Sequence, residues 1–385
     1  MLIFTLYRGR LKESIMKENP LKKLETLGQA IWLDYIRCDL ITSGKLKLMI
    51  KEDGLSGITS NPSIFEKAIA ESNMYDNDIR EIALKENDIQ VIYETICLRD
   101  VQNAADEFKT VYEKTGGKDG YVSLEVNPHL AHDTVGTIKE ARRLWASLNR
   151  PNVLIKVPAT DEGIPVIRQL ISEGINVNVT LLFALKRYRE VTEAYIAGIT
   201  DRIDKGKSVK NITSVASFFL SRIDAVIDPK EADFVALGGE QAHFATKIRG
   251  QVAISSAKVA YKIYQKIFES EEFTKLGALP QRLLWASTSP KNPDYSDIKY
   301  VEALIGPNTV NTLPLKTLEA YSDHGEPVSL LKENVEQASM VLSELSEVGI
   351  DFNEITNKLE DDGVQKFSAA YDQLIKALIK KSSAK

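Results

Sequence analysis

The segment "NVLIKVPAT" (residues 152–160) sets one lysine, Lys156, inside a run that otherwise reads as a buried strand. Burial disfavours an ammonium and favours the neutral amine. A neutral amine is a nucleophile, and lysines placed in this way form Schiff bases with carbonyl substrates. The protonated imine draws electrons, so a C–C bond β to it breaks or forms without a metal. Addition, dehydration and cleavage each move protons and need acids and bases within hydrogen-bond reach. Two carboxylates interrupt apolar runs in comparable places, Asp34 in "WLDYI" and Glu125 in "SLEV". A single Asp at a strand end is ordinarily a turn or cap, and Lys156 could instead reach solvent or pair with Glu125 as a buried salt bridge. Two carboxylates and a lysine on neighbouring strands point to a site.

The elements that must hold these side chains are legible by period. Eight short apolar runs read as strands: 30–36, 57–61, 121–126, 152–158, 175–183, 212–219, 282–288 and 309–314. Amphipathic helical patterns lie between them, among them 132–150, 161–174 and 185–204. Strand and helix alternating eight times predicts a parallel (β/α)8 TIM barrel of the α/β class, not two open sheets. Additional helical stretches at 62–115, 240–275 and 326–381 would cap or flank it. We expect residues 21–385 to form a single barrel domain with helical insertions near 62–115 and 228–275 and C-terminal helices. Residues 1–20 would be an extension, possible as disorder, with Met16 a second candidate start.

Phase sharpens this expectation. Asn176, Asn178 and Thr180 share one strand face opposite Val177, Val179 and Leu181; Ser123 and Glu125 share a face opposite Val122, Leu124 and Val126; Lys156 opposes Val153, Ile155 and Val157 where it sits. Three neighbouring strands thus turn polar groups toward one lumen. An antiparallel sheet with one wet side would alternate similarly, but the intervening helices argue against it.

Composition bounds the partners. With 385 residues, 43% of them hydrophobic, 27% charged and a net charge of -5, the chain is ordinary globular material with no general attraction to nucleic acid or anionic lipid. No apolar run reaches the roughly 18 residues of a membrane span. The opening "MLIFTLYRGR" lacks a signal-peptide core and cleavage site. Cys38 and Cys97 form no CxxC pair, which fits buried small hydrophobes in a reducing cytoplasm. No G-x-G-x-x-G or P-loop is present, so no nucleotide cofactor is indicated.

At this point the motifs carry a resemblance. "IWLDYIR" (31–37), "GITSNPSIFEKAI" (57–69), "VSLEVNP" (122–128), "LIKVPATDEGI" (154–164), "INVNVTLLF" (175–183), "VASFFLSRID" (215–224) and "WASTSPKNP" (285–293) occur in an order that resembles the transaldolase family in its longer bacterial form. The resemblance runs from about residue 20 to the C-terminus. It implies a class I aldolase-type barrel of the pentose phosphate pathway that moves a dihydroxyacetone unit from sedoheptulose 7-phosphate or fructose 6-phosphate to an aldose phosphate. It implies no cofactor, and a monomer or homodimer. Carried over by residue, Lys156 is the Schiff-base lysine, Asp34 the acid/base at the substrate hydroxyl, and Glu125 a second acid/base working through a water held by Thr180. Asn61, Asn178 and Ser217 would bond donor hydroxyls, Arg222 the phosphate, and Ser287 matches a phosphate-site serine.

One departure matters. Shorter members of the family place a second phosphate-binding arginine two residues after that serine, where this chain has Ser289. Lys291 is the nearest cation and would substitute as a point charge, not a bidentate fork. Arg222 has a plainer alternative, an ion pair with Asp224. His129, His132 and Asp133 could suggest a metal, but Asp133 and Thr134 read better as a helix start, and no metal is expected. Ser63 and Glu66 have capping-box spacing. "KGKSVK" (205–210) reads as a solvated loop, and the Asn-x-Thr matches at Asn178 and Asn211 mean nothing without secretion. Two rival functions remain: a fructose 6-phosphate aldolase-like lyase, whose family is much shorter, and a non-catalytic sugar-phosphate-binding barrel with an inert Lys156.

Overall fold

The computed structural model describes residues 19–383. The expectations for Met16 and for the extension 1–20 lie almost wholly outside these residues. Asn19 accepts a hydrogen bond from the Leu21 amide and, with Pro20 at the first turn, starts helix α1 (Pro20–Thr26).

Eight parallel strands follow: β1 (Gln29–Asp34), β2 (Leu55–Thr59), β3 (Tyr121–Glu125), β4 (Val153–Pro158), β5 (Val177–Leu182), β6 (Ser214–Phe219), β7 (Arg282–Ala286) and β8 (Thr309–Leu313). Each pairs with its successor and β8 returns to β1, closing a (β/α)8 barrel. Every residue of β4, β5 and β6 is buried. Parallel strands are covered on both faces, by lumen side chains within and helices without, which is why their sequences run so apolar. Where Trp32 crosses the lumen, the neighbouring strand has Gly57, whose added Cβ would lie 2.6 Å from the indole ring. The Trp32 indole N–H donates to Asp119, which also pairs with Arg282 at 3.0 Å, sealing the N-terminal end of the barrel with a buried polar network.

The helices that bear on the C-terminal mouth are few. Between β2 and β3 lie α2 (Pro62–Ala70) and the long α3 (Ile89–Lys114). Then come α4 (Thr134–Leu148), α5 (Gly163–Glu173) and α6 (Leu185–Asp204), one after each of β3, β4 and β5. Asp133 caps α4 through the Gly136 amide. The expected capping box at Ser63 and Glu66 is not formed: α2 begins at Asn61, whose Oδ1 accepts from the Ile64 amide, with Pro62 as first helical residue. Pro62 fixes φ and needs no amide partner, so the helix starts two residues earlier than the Ser/Glu spacing suggests. After β6, α7 (Ser221–Leu237) leads into additional helices, of which α8 (Val252–Phe268) is largely buried and packs on β7 and α6. The chain closes with α9 (Phe352–Ser382), 31 residues that lie against α2, α3 and β5.

Two strand ends carry unusual backbone. Leu181 (φ 58°) and Ser287 (φ 54°) adopt the left-handed region, which costs a side-chain-bearing residue about 1 kcal/mol or more and persists where surroundings enforce it. At Leu181 the β5–β6 register also shifts, a local bulge directly after Thr180.

Candidate active site

The register places the chemistry-bearing side chains in one layer. Glu125 is the Cα partner of Lys156, and Lys156 that of Asn178. Because neighbours in register point to the same side of a sheet, all three enter the lumen near its C-terminal mouth. Lys156 is 4% exposed; its Nζ donates to the Ser60 carbonyl at 3.1 Å and stands 3.4 Å from Glu125 Oε2. Of the plainer sequence alternatives, reach to solvent is not realised and the buried pair with Glu125 is, in an arrangement where amine and carboxylate can exchange a proton. Burial pushes the Glu125 carboxyl up to about 7, against the opposing pull of the Lys156 charge. Oε2 of Glu125 and Oγ1 of Thr180 are both buried without a protein hydrogen-bond partner among the described residues.

Asp34 ends β1 on the opposite side of the mouth. Its Oδ1 accepts from Thr59 Oγ1 at 2.7 Å, and Thr59 in turn meets Thr312 at 2.7 Å, which fixes the carboxylate from two neighbouring strands. Burial raises its pKa, while the Lys156 charge and the Thr59 bond resist. Asn178 is held from both sides: its Nδ2 donates to Ser123 Oγ at 3.0 Å and its Oδ1 accepts from Ser217 Oγ at 2.7 Å. The polar alternation in β3, β4, β5 and β6 is thus a continuous lumen network and not a wet sheet face.

A cavity of about 280 Å³ in the mouth is lined by Asp34, Thr59, Asn61, Lys156 and Ser217 and also by Arg222, Ser287, Ser289 and Lys291. Arg222, second residue of α7, lies 5.2 Å from the Phe219 ring centroid and 6.0 Å from that of Phe367; its Nη1 is buried without a partner among the described residues. Burial lowers its pKa and that of Lys291, to which the nearby Arg222 charge also contributes. Two cations kept close against desolvation and mutual repulsion make a ready anion site. The plainer alternative of an Arg222–Asp224 pair is absent: Asp224 accepts from the Ala253 amide and the Tyr300 hydroxyl. Ser287 contacts Ser221, the first residue of α7, at 3.0 Å between hydroxyls.

The cavity also has walls that sequence reading did not single out. Lys67 and Ser63 come from α2, and Phe367 from α9, with its ring centroid 5.7 Å from Lys156 Nζ. Lys67 follows Ser63 by four residues on α2, about one helical turn, so the two share a face and a phase argument on α2 could have found it. No local signal marks Phe367, which arrives from the far end of the chain. A larger cavity of about 500 Å³ lies behind β3 among α3, α4 and α9; Glu125 borders this one, whereas Lys156 and Asp34 line the smaller, so the Lys156–Glu125 pair stands at the boundary between the two.

Among the described residues no three metal-ligating side chains converge. His129 pairs with Asp372 at 2.8 Å and His132 with Glu162 at 3.0 Å, both exposed. No helix among the described residues is long and apolar enough to cross a membrane.

A buried lysine between two carboxylates in the mouth of a closed parallel barrel, with cations lining the same cleft, defines a class of (β/α)8 enzymes that work on carbonyl compounds through an amine. Within that class the chain belongs to the transaldolase/fructose-6-phosphate aldolase family, whose model matches residues 31–378. It is 45% identical over 360 residues to a transaldolase of Thiobacillus denitrificans, covering 93% of this chain and 99% of the relative. It is likewise 45% identical over 371 residues to transaldolase 2 of a Nostoc species, covering 94% and 97%. A mycobacterial transaldolase, from Mycobacterium bovis, is 43% identical over 364 residues, covering 93% and 96%.

Proposed function

We propose that the protein is a transaldolase that moves a dihydroxyacetone unit from sedoheptulose 7-phosphate to glyceraldehyde 3-phosphate, giving erythrose 4-phosphate and fructose 6-phosphate. The observation that carries this reading is Lys156, buried in the barrel mouth with Glu125 at 3.4 Å and with Asp34 lining the same cleft. The Lys156 amine adds to the donor C2 carbonyl, and loss of one water gives the iminium. Glu125 moves the protons of these two steps through a water, for which Thr180 Oγ1, buried without a hydrogen-bond partner among the described residues, and Glu125 Oε2, which faces the Lys156 ammonium at 3.4 Å, have open hydrogen-bonding capacity. Asp34 takes the proton of the C4 hydroxyl as the C3–C4 bond breaks; the aldose leaves, and the bonding pair rests in an enamine on Lys156. The enamine carbon attacks the acceptor aldehyde, Asp34 returns its proton to the new alkoxide, and water releases the ketose.

Asn61, with Oδ1 spent on the helix cap, has its Nδ2 for a donor hydroxyl, and Asn178 and Ser217 present a preset hydrogen-bond chain to the others. Arg222, Lys291 and the Ser287 hydroxyl hold the phosphate. The site, with no metal or nucleotide group in its chemistry, needs no cofactor. The free thiols of Cys38 and Cys97 suit a reducing cytoplasm, where the protein would act on small sugar phosphates as a monomer or homodimer.

Incubation with fructose 6-phosphate and borohydride, followed by peptide mass analysis, tests the reading. A three-carbon adduct on Lys156, absent in Lys156→Ala, is expected. An unmodified lysine in folded protein would discard it. Release of glyceraldehyde 3-phosphate that is unaffected by an added aldose phosphate would favour the lyase activity that the family description also names.

A further inference from the structure

The two cations at the phosphate end of the cleft ride on different elements. Arg222 is on the first turn of α7, and Lys291 is in the loop that follows β7. Among the described residues neither makes an ion pair that would fix it in place. What holds their supports together lies just outside the cleft. Asp224, two residues after Arg222, is 1% exposed; it accepts from the Ala253 amide at 2.8 Å through Oδ1 and from the Tyr300 hydroxyl at 2.8 Å through Oδ2. Asp228, one turn further along α7, accepts from the Gly250 amide at 3.0 Å and from the Tyr295 hydroxyl at 2.7 Å.

Each carboxylate is therefore a three-way junction. Asp224 joins α7 to Ala253 of α8 and to Tyr300 in the short helix Lys299–Glu302 that ends the Lys291 segment, and Asp228 joins α7 to Gly250, just before α8, and to Tyr295, four residues after Lys291. The Lys299 ammonium adds to the clamp, 3.8 Å from Asp224 and 3.4 Å from the Tyr295 ring centroid. Gly250 completes it: at φ 66° it leaves no room for a side chain, since an added Cβ would lie 2.3 Å from Lys299 Nζ and 2.6 Å from the Tyr295 hydroxyl. Buried carboxylates accepting from backbone amides and phenols are rigid anchors, because each bond is charge-assisted and each loss would leave a buried acceptor unpaired.

We infer that Asp224, Asp228, Tyr295 and Tyr300 are positioning residues for the phosphate end of the cleft, setting the distance between Arg222 and Lys291, and that this is a role of the helices inserted between β6 and β7. A point-charge lysine has no fork to impose geometry on a phosphate. Its placement must come from the backbone that bears it, and the Tyr295 and Tyr300 bonds supply that placement. The inference rests on the proposed function for its substrate, and not for its geometry.

The test is the double variant Tyr295→Phe/Tyr300→Phe, which keeps both rings and removes only the two hydroxyls; a thermal melt confirms that it is folded. For fructose 6-phosphate as donor, KM should rise about tenfold with kcat changed less than about twofold. The rate of borohydride trapping with unphosphorylated fructose should stay within about twofold of wild type, since that donor never uses the phosphate end. Titration calorimetry with inorganic phosphate gives a readout independent of turnover, and a matching loss of affinity is expected. Equal losses with both donors would mean a general structural role, and unchanged KM and phosphate affinity would mean no role; either overturns the inference. A wild-type protein without transfer activity defeats the proposed function alone, because phosphate affinity still decides this one.

Discussion

At the scale of single residues, two carboxylates of the same barrel mouth are set for different work by their surroundings. Glu125 is pushed up to about 7 by burial beside Lys156, so near neutrality it is populated in both forms. A group that must take a proton as the amine adds has to be ionised first. In wild type, kcat/KM should therefore fall as pH drops through about 7, approaching tenfold per unit below it. Glu125→Gln should lose that limb along with roughly 10²- to 10⁴-fold in rate, which a pH series on the two proteins checks; the same limb surviving in Glu125→Gln would assign it elsewhere. Asp34 is fixed by the Thr59 hydroxyl, which in turn meets that of Thr312, and in the proposed mechanism it serves the C–C bond step. Asp34→Asn should still be trapped on Lys156 by borohydride as the uncleaved six-carbon adduct, while transfer falls by roughly 10²-fold or more. Rapid-quench mass analysis distinguishes the six-carbon adduct from the three-carbon one. Lys156, Glu125, Asn178 and Thr180 were legible from alternation alone, because in a strand covered on both faces a polar residue has only the lumen to go to. Phe367 and the Ser60 carbonyl were not, since they meet Lys156 through tertiary approach that no spacing along the chain encodes.

At the scale of elements, the barrel was readable because β-branched runs bounded by turns recur with amphipathic helices between them. All eight strands fall within or next to the expected runs, and the strand ends differ by a residue or two where the first or last residue faces a loop. The differences cluster where backbone does something local: the bulge at Thr180 and Leu181, the left-handed Ser287, and the α2 start at Asn61 in place of a capping box. These features depend on neighbouring strands and on Pro62, so a window of hydrophobicity does not report them. The packing of β1 on β2 gives a test of how tightly the lumen is filled. Gly57 faces the Trp32 indole so closely that a methyl group would sit 2.6 Å from the ring, and Trp32 is held by its own bond to Asp119. A rigid, buried ring cannot give way as a flexible chain end would. Gly57→Ala should therefore destabilise the protein by about 1–3 kcal/mol, despite the better strand propensity of alanine. Denaturant unfolding measures this, and a stability equal to wild type would mean the lumen has slack.

At the scale of the whole molecule, the site is assembled from the full length of the chain: Asp34 comes from the first strand and Phe367 from the last helix. α9 is fastened at its end by Lys381, whose Nζ lies 2.6 Å from Asp76 Oδ1 and 2.7 Å from the Ser72 carbonyl, which ties its last turn to the segment that follows α2. Along the way Phe367 places one ring within 5.7 Å of the Lys156 ammonium and 6.0 Å of the Arg222 guanidinium. That ring has two separable effects. As buried volume it stabilises the packing of α9 on the barrel, and as an aromatic face it shields the amine from water while offering its quadrupole to the cations. Phe367→Ala should lose about 3–5 kcal/mol of stability, the range for removing a buried phenyl ring, and should slow trapping of the donor because water enters beside Lys156. Phe367→Leu separates the two effects, since it keeps most of the apolar volume without the ring. If the aromatic face matters, Leu restores stability to within about 1.5 kcal/mol yet leaves the trapping rate low. If only the volume matters, stability and trapping rate recover together. Unfolding curves and borohydride trapping rates on the three proteins decide whether the C-terminal helix merely covers the site or takes part in its chemistry.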